Sequence, residues 1–358
     1  MVDQNIEGTR RVAIVALPGA FTLDVLGAFE IFHAATRIVA LRQLGVPRFD
    51  VSDPARLVGA PAAYEVELVG ADEGKVETLS GITLFATRAL ANVPDPVDTL
   101  VIAGGDIQRM LSVLKDRPEL SVALRRIAQH ARRVVSVCTG SFVLAALGLL
   151  DGKRATSHWA ACELLQKRYA KVRVEHEPIF TQDGSVYTSA GATTGMDLSL
   201  ALIRQDHGHD VAREIARWLV LYVERNAGQA QLSAALRGQA VDNAPLRELV
   251  PWIAENIRAD LGVAVLAARV GMSIRNFARA FKRETGITPA TYVESLRVEV
   301  AQRKLEMGSA SIAEIADEVG FGSIDTLRRA FVRQTGRPPS QARDRKDRLD
   351  NAASARHS

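Results

Sequence analysis

The chain has 358 residues, of which 47% are hydrophobic, 24% charged and only 5% aromatic; this globular composition excludes fibrous and disordered classes and leaves room for two domains. Two cysteines, Cys138 and Cys162, are too few for a disulfide framework and lack the paired spacing of a zinc site, so a reducing cytoplasm is the expected compartment, while no apolar run approaches the ~20 residues of a membrane span and Met1 to Glu7 lack the apolar core of a signal peptide. The net charge of +4 is uneven: residues 246–358 hold 19 Lys and Arg against 14 Asp and Glu, and residues 1–245 hold 26 against 27, so the surplus that suits a phosphate-binding surface lies in the last third.

In chain order, the first element is a continuous apolar strand over residues 11–17, followed by the turn Pro18-Gly19 and a helix over residues 23–38. Similar buried strands recur at residues 99–103 and 133–137, each followed by a turn and a helix. Such runs predict a flavodoxin-like parallel sheet covered on both faces. Ligands in these sheets sit beyond the C-terminal strand ends, here Pro18-Gly19, Gly104-Gly105 and Cys138-Thr139-Gly140-Ser141.

A cysteine placed directly after a buried strand and before a helix, with Gly140 two residues on, is patterned as a nucleophile elbow, in which helix N-terminal amides lower a thiol pKa and cradle an anion. The plain alternative is a buried, inert cysteine. Gly104-Gly105 can bring backbone N–H groups to the same spot. His158, twenty residues after Cys138, reads either as a base returning to the site or as a capping histidine. Cys162 reads as packing. A helix is expected over residues 193–204, and Asp206-His207-Gly208-His209-Asp210 then reads as a turn with solvated caps rather than a metal site. Trp218, Leu219 and Tyr222 form an apolar stripe that suits either a sister subunit or the intramolecular core.

The segment 226–245 is polar, small and weakly periodic, as expected of a linker between a domain over residues 10–225 and one over 246–345; residues 346–358 are expected to form a flexible tail. The second domain contains one motif twice. Leu266 to Gly271 aligns with Ile315 to Gly320, Phe281 with Phe331, Thr285-Gly286 with Thr335-Gly336, and Pro289 with Pro339. Each copy reads as helix, turn, helix and glycine stop, with Ala267 or Ala316 where two helices must approach closely. Phe277 and Phe281 at i,i+4 mark the buried stripe, so Arg275 and Arg279 face outward. Leu327 and Phe331 do the same in the second copy and leave Asp325, Thr326, Arg328 and Arg329 outside. A connecting helix over residues 290–308, with Tyr292, Leu296 and Val300 on one side, spans nearly 30 Å at about 1.5 Å per residue and suits two recognition helices in adjacent major grooves.

Residues 246–344 resemble the AraC/XylS DNA-binding domain. The resemblance implies base contacts by Ile274, Arg275, Asn276 and Arg279 in the first unit and by Ile324, Asp325, Thr326, Arg328 and Arg329 in the second, with the Ser273 and Ser323 hydroxyls anchoring phosphates. Ile324 and Asp325 depart from the polar side chains common there, and suit a thymine methyl and a cytosine amine.

Residues 11–225 resemble the ThiJ/PfpI branch of the class I glutamine amidotransferase-like superfamily, on Pro18-Gly19 with Asp24, Ala103-Gly104-Gly105, Cys138-Thr139-Gly140, Arg154 to Trp159 and Thr188 to Gly191. Proteolytic members carry His directly after the Cys; Thr139 stands there instead, which argues against a Cys-His dyad. Isonitrile hydratases of this branch use an Asp, a Cys and the adjoining Thr, at the positions of Asp24, Cys138 and Thr139. The domain order is similar to that of GlxA-type transcriptional regulators, which implies a sequence-specific regulator of the activator type. It would be cytoplasmic, dimeric through the sensor domain and in contact with double-stranded DNA and RNA polymerase. The implied effector is a small nitrogenous metabolite held by Asp24, Gly104, Gly105, Cys138, Thr139 and His158, with no cofactor, metal or catalysis. The alternatives are a hydratase- or amidase-like enzyme fused to a DNA-binding domain, using Cys138, Asp24, Thr139 and His158, and a redox sensor built on Cys138.

Overall fold

The computed structural model describes residues 8–45, 62–221, 225, 230–239, 241–307, 310–335 and 338–340. The chain divides into two compact units at Ala227/Gly228. Expectations for Tyr222, Gly336 and residues 346–358 fall outside the described residues.

The first unit is built on a seven-stranded sheet, in spatial order Phe180–Asp183, Val186–Ser189, Arg133–Val137, Thr99–Ile102, Arg10–Ala16, Tyr64–Gly70 and Arg88–Ala89. Five of these strands, taken in chain order, give the 2-1-3-4-5 arrangement of a doubly wound flavodoxin-like sheet. Strand alternation sorts the core into two layers. Val12, Ile14 and Ala16 pack under the helices Thr22–Gln43 and Ala192–Trp218, while Ala13, Val15 and Leu17 pack under Ile107–Asp116, Pro118–His130 and Gly140–Ala146.

Three features differ from the sequence expectation. The edge strand Phe180–Asp183 is antiparallel to Val186–Ser189, because a two-residue turn with Gly184 at φ 63° joins them and no crossover intervenes. The helix expected to end at residue 204 continues to Trp218 across a break at Gly208, φ 83°. Asp206, at that break, is not a solvated cap. Its side chain is only 3% exposed and accepts two hydrogen bonds at 2.8 Å from Arg133 and one at 2.7 Å from the Tyr64 hydroxyl. Burial alone raises its pKa, but Arg133, Tyr64 and Arg132 outweigh it and hold the carboxyl below its usual range.

The second unit is helical. Its first half packs Leu246, Leu249, Ile253, Leu266, Phe277 and Phe281 against Tyr292 and Leu296; its second half packs Ile315, Val319, Leu327 and Phe331 against Val298, Ala301 and Leu305. One helix, Pro289–Met307, therefore serves both cores, and its apolar stripe changes face along its length, with Val300 at the margin of the second core. The segment 226–245, expected as a linker throughout, contains the helix Ala234–Gln239. Ala234 and Val241 are buried in the first-half core and the Ala234 amide bonds to Glu299 at 2.7 Å. Its small residues look linker-like but serve close packing: a Cβ on Gly238 would collide with Val250 and the Tyr292 hydroxyl.

Candidate functional site

In the first unit, three strand ends meet. The strand Arg133–Val137 ends at Cys138, whose φ is 54°, a left-handed conformation uncommon for a side-chain-bearing residue. Three hydrogen bonds hold it there: the Cys138 amide donates to the Ser189 carbonyl at 2.9 Å, and its carbonyl accepts from the Ser157 and Ser141 hydroxyls at 3.0 and 3.1 Å. Gly140 then opens the helix Gly140–Ala146, where any Cβ would strike the Ile102 carbonyl. This is the elbow anticipated from the motif.

Asp24, from the first turn of the helix Thr22–Gln43, reaches the same point. It is 97% buried, one oxygen has no hydrogen-bond partner, and a Cβ on Gly104 would lie 2.5 Å from that oxygen and 2.8 Å from the Cys138 Cβ. Burial pushes the Asp24 carboxyl up to about 7, partly offset by the Gly104 amide and the Cys138 thiol. Burial, then the Asp24 charge, pushes the Cys138 thiol up to about 12. The expectation that helix amides lower this pKa is therefore reversed, since desolvation and a neighbouring carboxylate exceed what the Thr139 amide and hydroxyl contribute.

The other expected pocket groups are committed elsewhere. The Thr139 hydroxyl accepts from the Gly105 amide at 2.8 Å and donates to the Gly105 carbonyl at 2.7 Å, so both polar groups of Gly105 are taken up. Gly104 donates its amide towards Asp24 and accepts from Phe21 through its carbonyl. His158 is half-buried, accepts a long 3.4 Å bond from the Ala160 amide and lies beside Trp159 and Gly191; burial lowers its pKa. Its neighbour Ser157, which the sequence reading passed over, is the side chain that reaches the elbow.

In the second unit the two repeats superimpose in their local bonding. Met272 donates to the Ala267 carbonyl and Phe321 to Ala316, around turn glycines Gly271 and Gly320 at φ 65° and 79°. Ser273, Ile274, Arg275, Asn276 and Arg279 are all exposed on the helix Ile274–Thr285 and its cap. Ser323, Asp325, Thr326, Arg328 and Arg329 are exposed on Ile324–Thr335, while Ile324 is half-buried against the second core. Ser273 and Ser323 act as N-caps, accepting from the Asn276 and Thr326 amides at 3.3 and 3.2 Å. Asp325 lies 3.7 Å from Arg328. Arg237, absent from the sequence reading, donates to the Thr285 carbonyl at the C-terminal end of the first recognition helix.

Residues 11–205 match the DJ-1/PfpI family and residues 266–345 a helix-turn-helix domain. The HTH-type transcriptional regulator CdhR of Pseudomonas aeruginosa is 30% identical over 78% of this chain and 82% of its own. GlxA of Rhizobium meliloti, also an HTH-type transcriptional regulator, is 27% identical over 81% and 88%. An isonitrile hydratase of Pseudomonas putida is 34% identical over 47% of this chain and 71% of its own. A flavodoxin-like unit with a cysteine elbow, followed by a double helix-turn-helix unit, defines a DNA-binding transcriptional regulator. The chain belongs to the DJ-1/PfpI family, and within it to the HTH-type regulators of the GlxA kind.

Proposed function

We propose that this regulator is an activator in which the first unit senses a small nitrogenous metabolite at Asp24 and Cys138 without transforming it, and the second reads an operator through Arg275, Asn276, Arg279, Thr326, Arg328 and Arg329. What supports the non-catalytic reading is the setting of the thiol: Cys138 is buried beside the buried Asp24 carboxyl, and burial and that charge both push the thiol away from ionisation. The unpartnered Asp24 oxygen supplies the recognition element, an acceptor for an N–H or cationic nitrogen. Leu23 and Leu26, exposed on the helix Thr22–Gln43, support dimerisation through the first unit, and the proposed partners of the dimer are operator DNA and RNA polymerase in the cytoplasm. Thermal-shift screening of nitrogenous metabolites against wild type and Asp24→Asn tests the reading: a stabilising ligand whose effect disappears in the variant supports it, and no such ligand counts against it.

A Cys138-dependent hydratase is the second reading, favoured by the left-handed elbow and by Asp24 beside the thiol. Saturable hydration of a small isonitrile by the full chain, abolished in Cys138→Ser, would establish it.

A further inference from the structure

The end of the first unit carries a strained turn and, beyond it, a pinned arginine. The helix Ala192–Trp218 ends in a Schellman motif, in which the Val220 amide donates to the Arg217 carbonyl and the Leu221 amide to Ala216. The left-handed residue of such a motif is usually glycine; here it is Val220, at φ 53° and 85% exposed. A β-branched side chain in that region is strained, and the conformation persists only where its surroundings impose it. What lies beyond it is Arg225. Its amide and Nε donate to the Asp197 carboxylate at 3.1 and 2.9 Å, and its second guanidinium nitrogen donates to the Thr193 hydroxyl at 2.8 Å. Asp197 is buried.

Thr193 and Asp197 lie in the opening turns of the helix that starts after Gly191, close in the chain to Ser189, whose carbonyl holds the Cys138 elbow. Ser189 accepts the Cys138 amide, Gly191 lies against His158, and Gly195 packs on Val137. On the other side of the unit boundary, Ala234 is bound to Glu299 and Arg237 to the end of the first recognition helix. Only eight residues, 226–233, separate Arg225 from Ala234, and release back to Trp218 would add seven more, 219–225, to the connection.

We propose that the Arg225–Asp197 pair is a latch that sets the length of the tether between sensor and DNA-binding unit, and that displacement of Ser189 to Gly191 by a ligand at Cys138 opens it. The proposal rests on the regulator reading. The strained Val220 turn biases the latch towards release, so that a small movement at Thr193 suffices.

Trypsin cleavage of the Arg225–Asn226 bond in the full chain, followed by mass spectrometry, measures the latch, because a guanidinium held on Asp197 cannot enter the protease pocket. Asp197→Asn, isosteric and uncharged, is expected to speed cleavage at least tenfold. Val220→Gly, which removes the strain, is expected to slow it several-fold. Affinity for a promoter fragment next to the protein's own gene is expected to shift in opposite directions in the two variants. Equal cleavage in all three proteins overturns the latch. Altered cleavage with unchanged DNA affinity overturns its regulatory role. Absence of DNA binding by wild type would instead sink the regulator reading, with the cleavage order still deciding whether the latch exists.

Discussion

The Thr139 hydroxyl is bonded to both polar groups of one residue, accepting from the Gly105 amide and donating to the Gly105 carbonyl. This joins the turn after one central strand to the elbow after the next. It also removes from Thr139 the freedom a proton-transfer group needs. Thr139→Val keeps the shape and strands both Gly105 groups in a buried setting, at a cost of about 1 to 3 kcal/mol for each unsatisfied group. Thr139→Ser restores both bonds. Urea denaturation is expected to rank wild type and Thr139→Ser together, well above Thr139→Val; equal stability of all three would show that the pair is incidental.

Asp24 makes stability depend on pH in an unusual direction. Its carboxyl titrates near 7 in the folded protein against an ordinary value of 3.8, so the unfolded chain gives up its proton first. The associated stability is complete below about pH 4, is lost as pH rises towards 7, and is absent above that. A shift of this size corresponds to something on the order of 2 to 4 kcal/mol. Asp24→Asn cannot ionise, so its stability relative to wild type is expected to improve between pH 4 and 8. Parallel pH–stability curves for the two proteins would place the ionised carboxylate in a solvated setting instead.

Why some of the site was legible from the sequence and some was not follows from the kind of interaction involved. Continuous apolar runs such as residues 11–17 report burial on both faces directly, and the cysteine between strand and helix reports a left-handed elbow, because both are local patterns. The duplicated helix-turn-helix is legible for the same reason, down to the outward phase of Arg275 and Arg279. Two of the three hydrogen bonds that fix the elbow, those to Ser157 and Ser189, join positions far apart in sequence. Ser157 and Ser189 carry no periodic signal, and His158 drew the attention that belonged to its neighbour. Asp206 illustrates the same limit: its sequence context is that of a turn, while Arg133 and Tyr64, which bury it, lie far away along the chain. The helix Ala234–Gln239 was missed because small residues that pack closely have the composition of a linker.

The exposed faces of the recognition helices make a separable claim about specificity. Arg279→Ala and Arg329→Ala are each expected to cost about 1 to 3 kcal/mol at the cognate operator while leaving much of the binding to random duplex intact. Ser273→Ala removes the cap of the first recognition helix and is expected to lower stability by about 1 kcal/mol. Fluorescence anisotropy on cognate and scrambled duplexes separates these outcomes. Equal losses on both duplexes for the arginine variants would mean that they touch phosphate only.

The thiol offers the most direct comparison of sensor, enzyme and redox switch. With the Cys138 thiol pushed well above its ordinary range by burial, little thiolate is present at pH 8, so alkylation by iodoacetamide at this residue is expected to be slow and to accelerate with each unit of pH. Part of that elevation comes from the Asp24 charge, the second cause after burial. Asp24→Asn removes the charge, so Cys138 is expected to become more acidic and to react faster at pH 8. Peptide mapping distinguishes Cys138 from Cys162, which is also buried and donates to the Ser157 carbonyl. An enzyme or a peroxide sensor working through this sulfur needs the reverse pattern, with fast modification of the wild type near neutrality. Rapid, pH-independent labelling of Cys138 between pH 6 and 8, slowed by Asp24→Asn, would show an activated thiolate and reject the non-catalytic reading of the pocket.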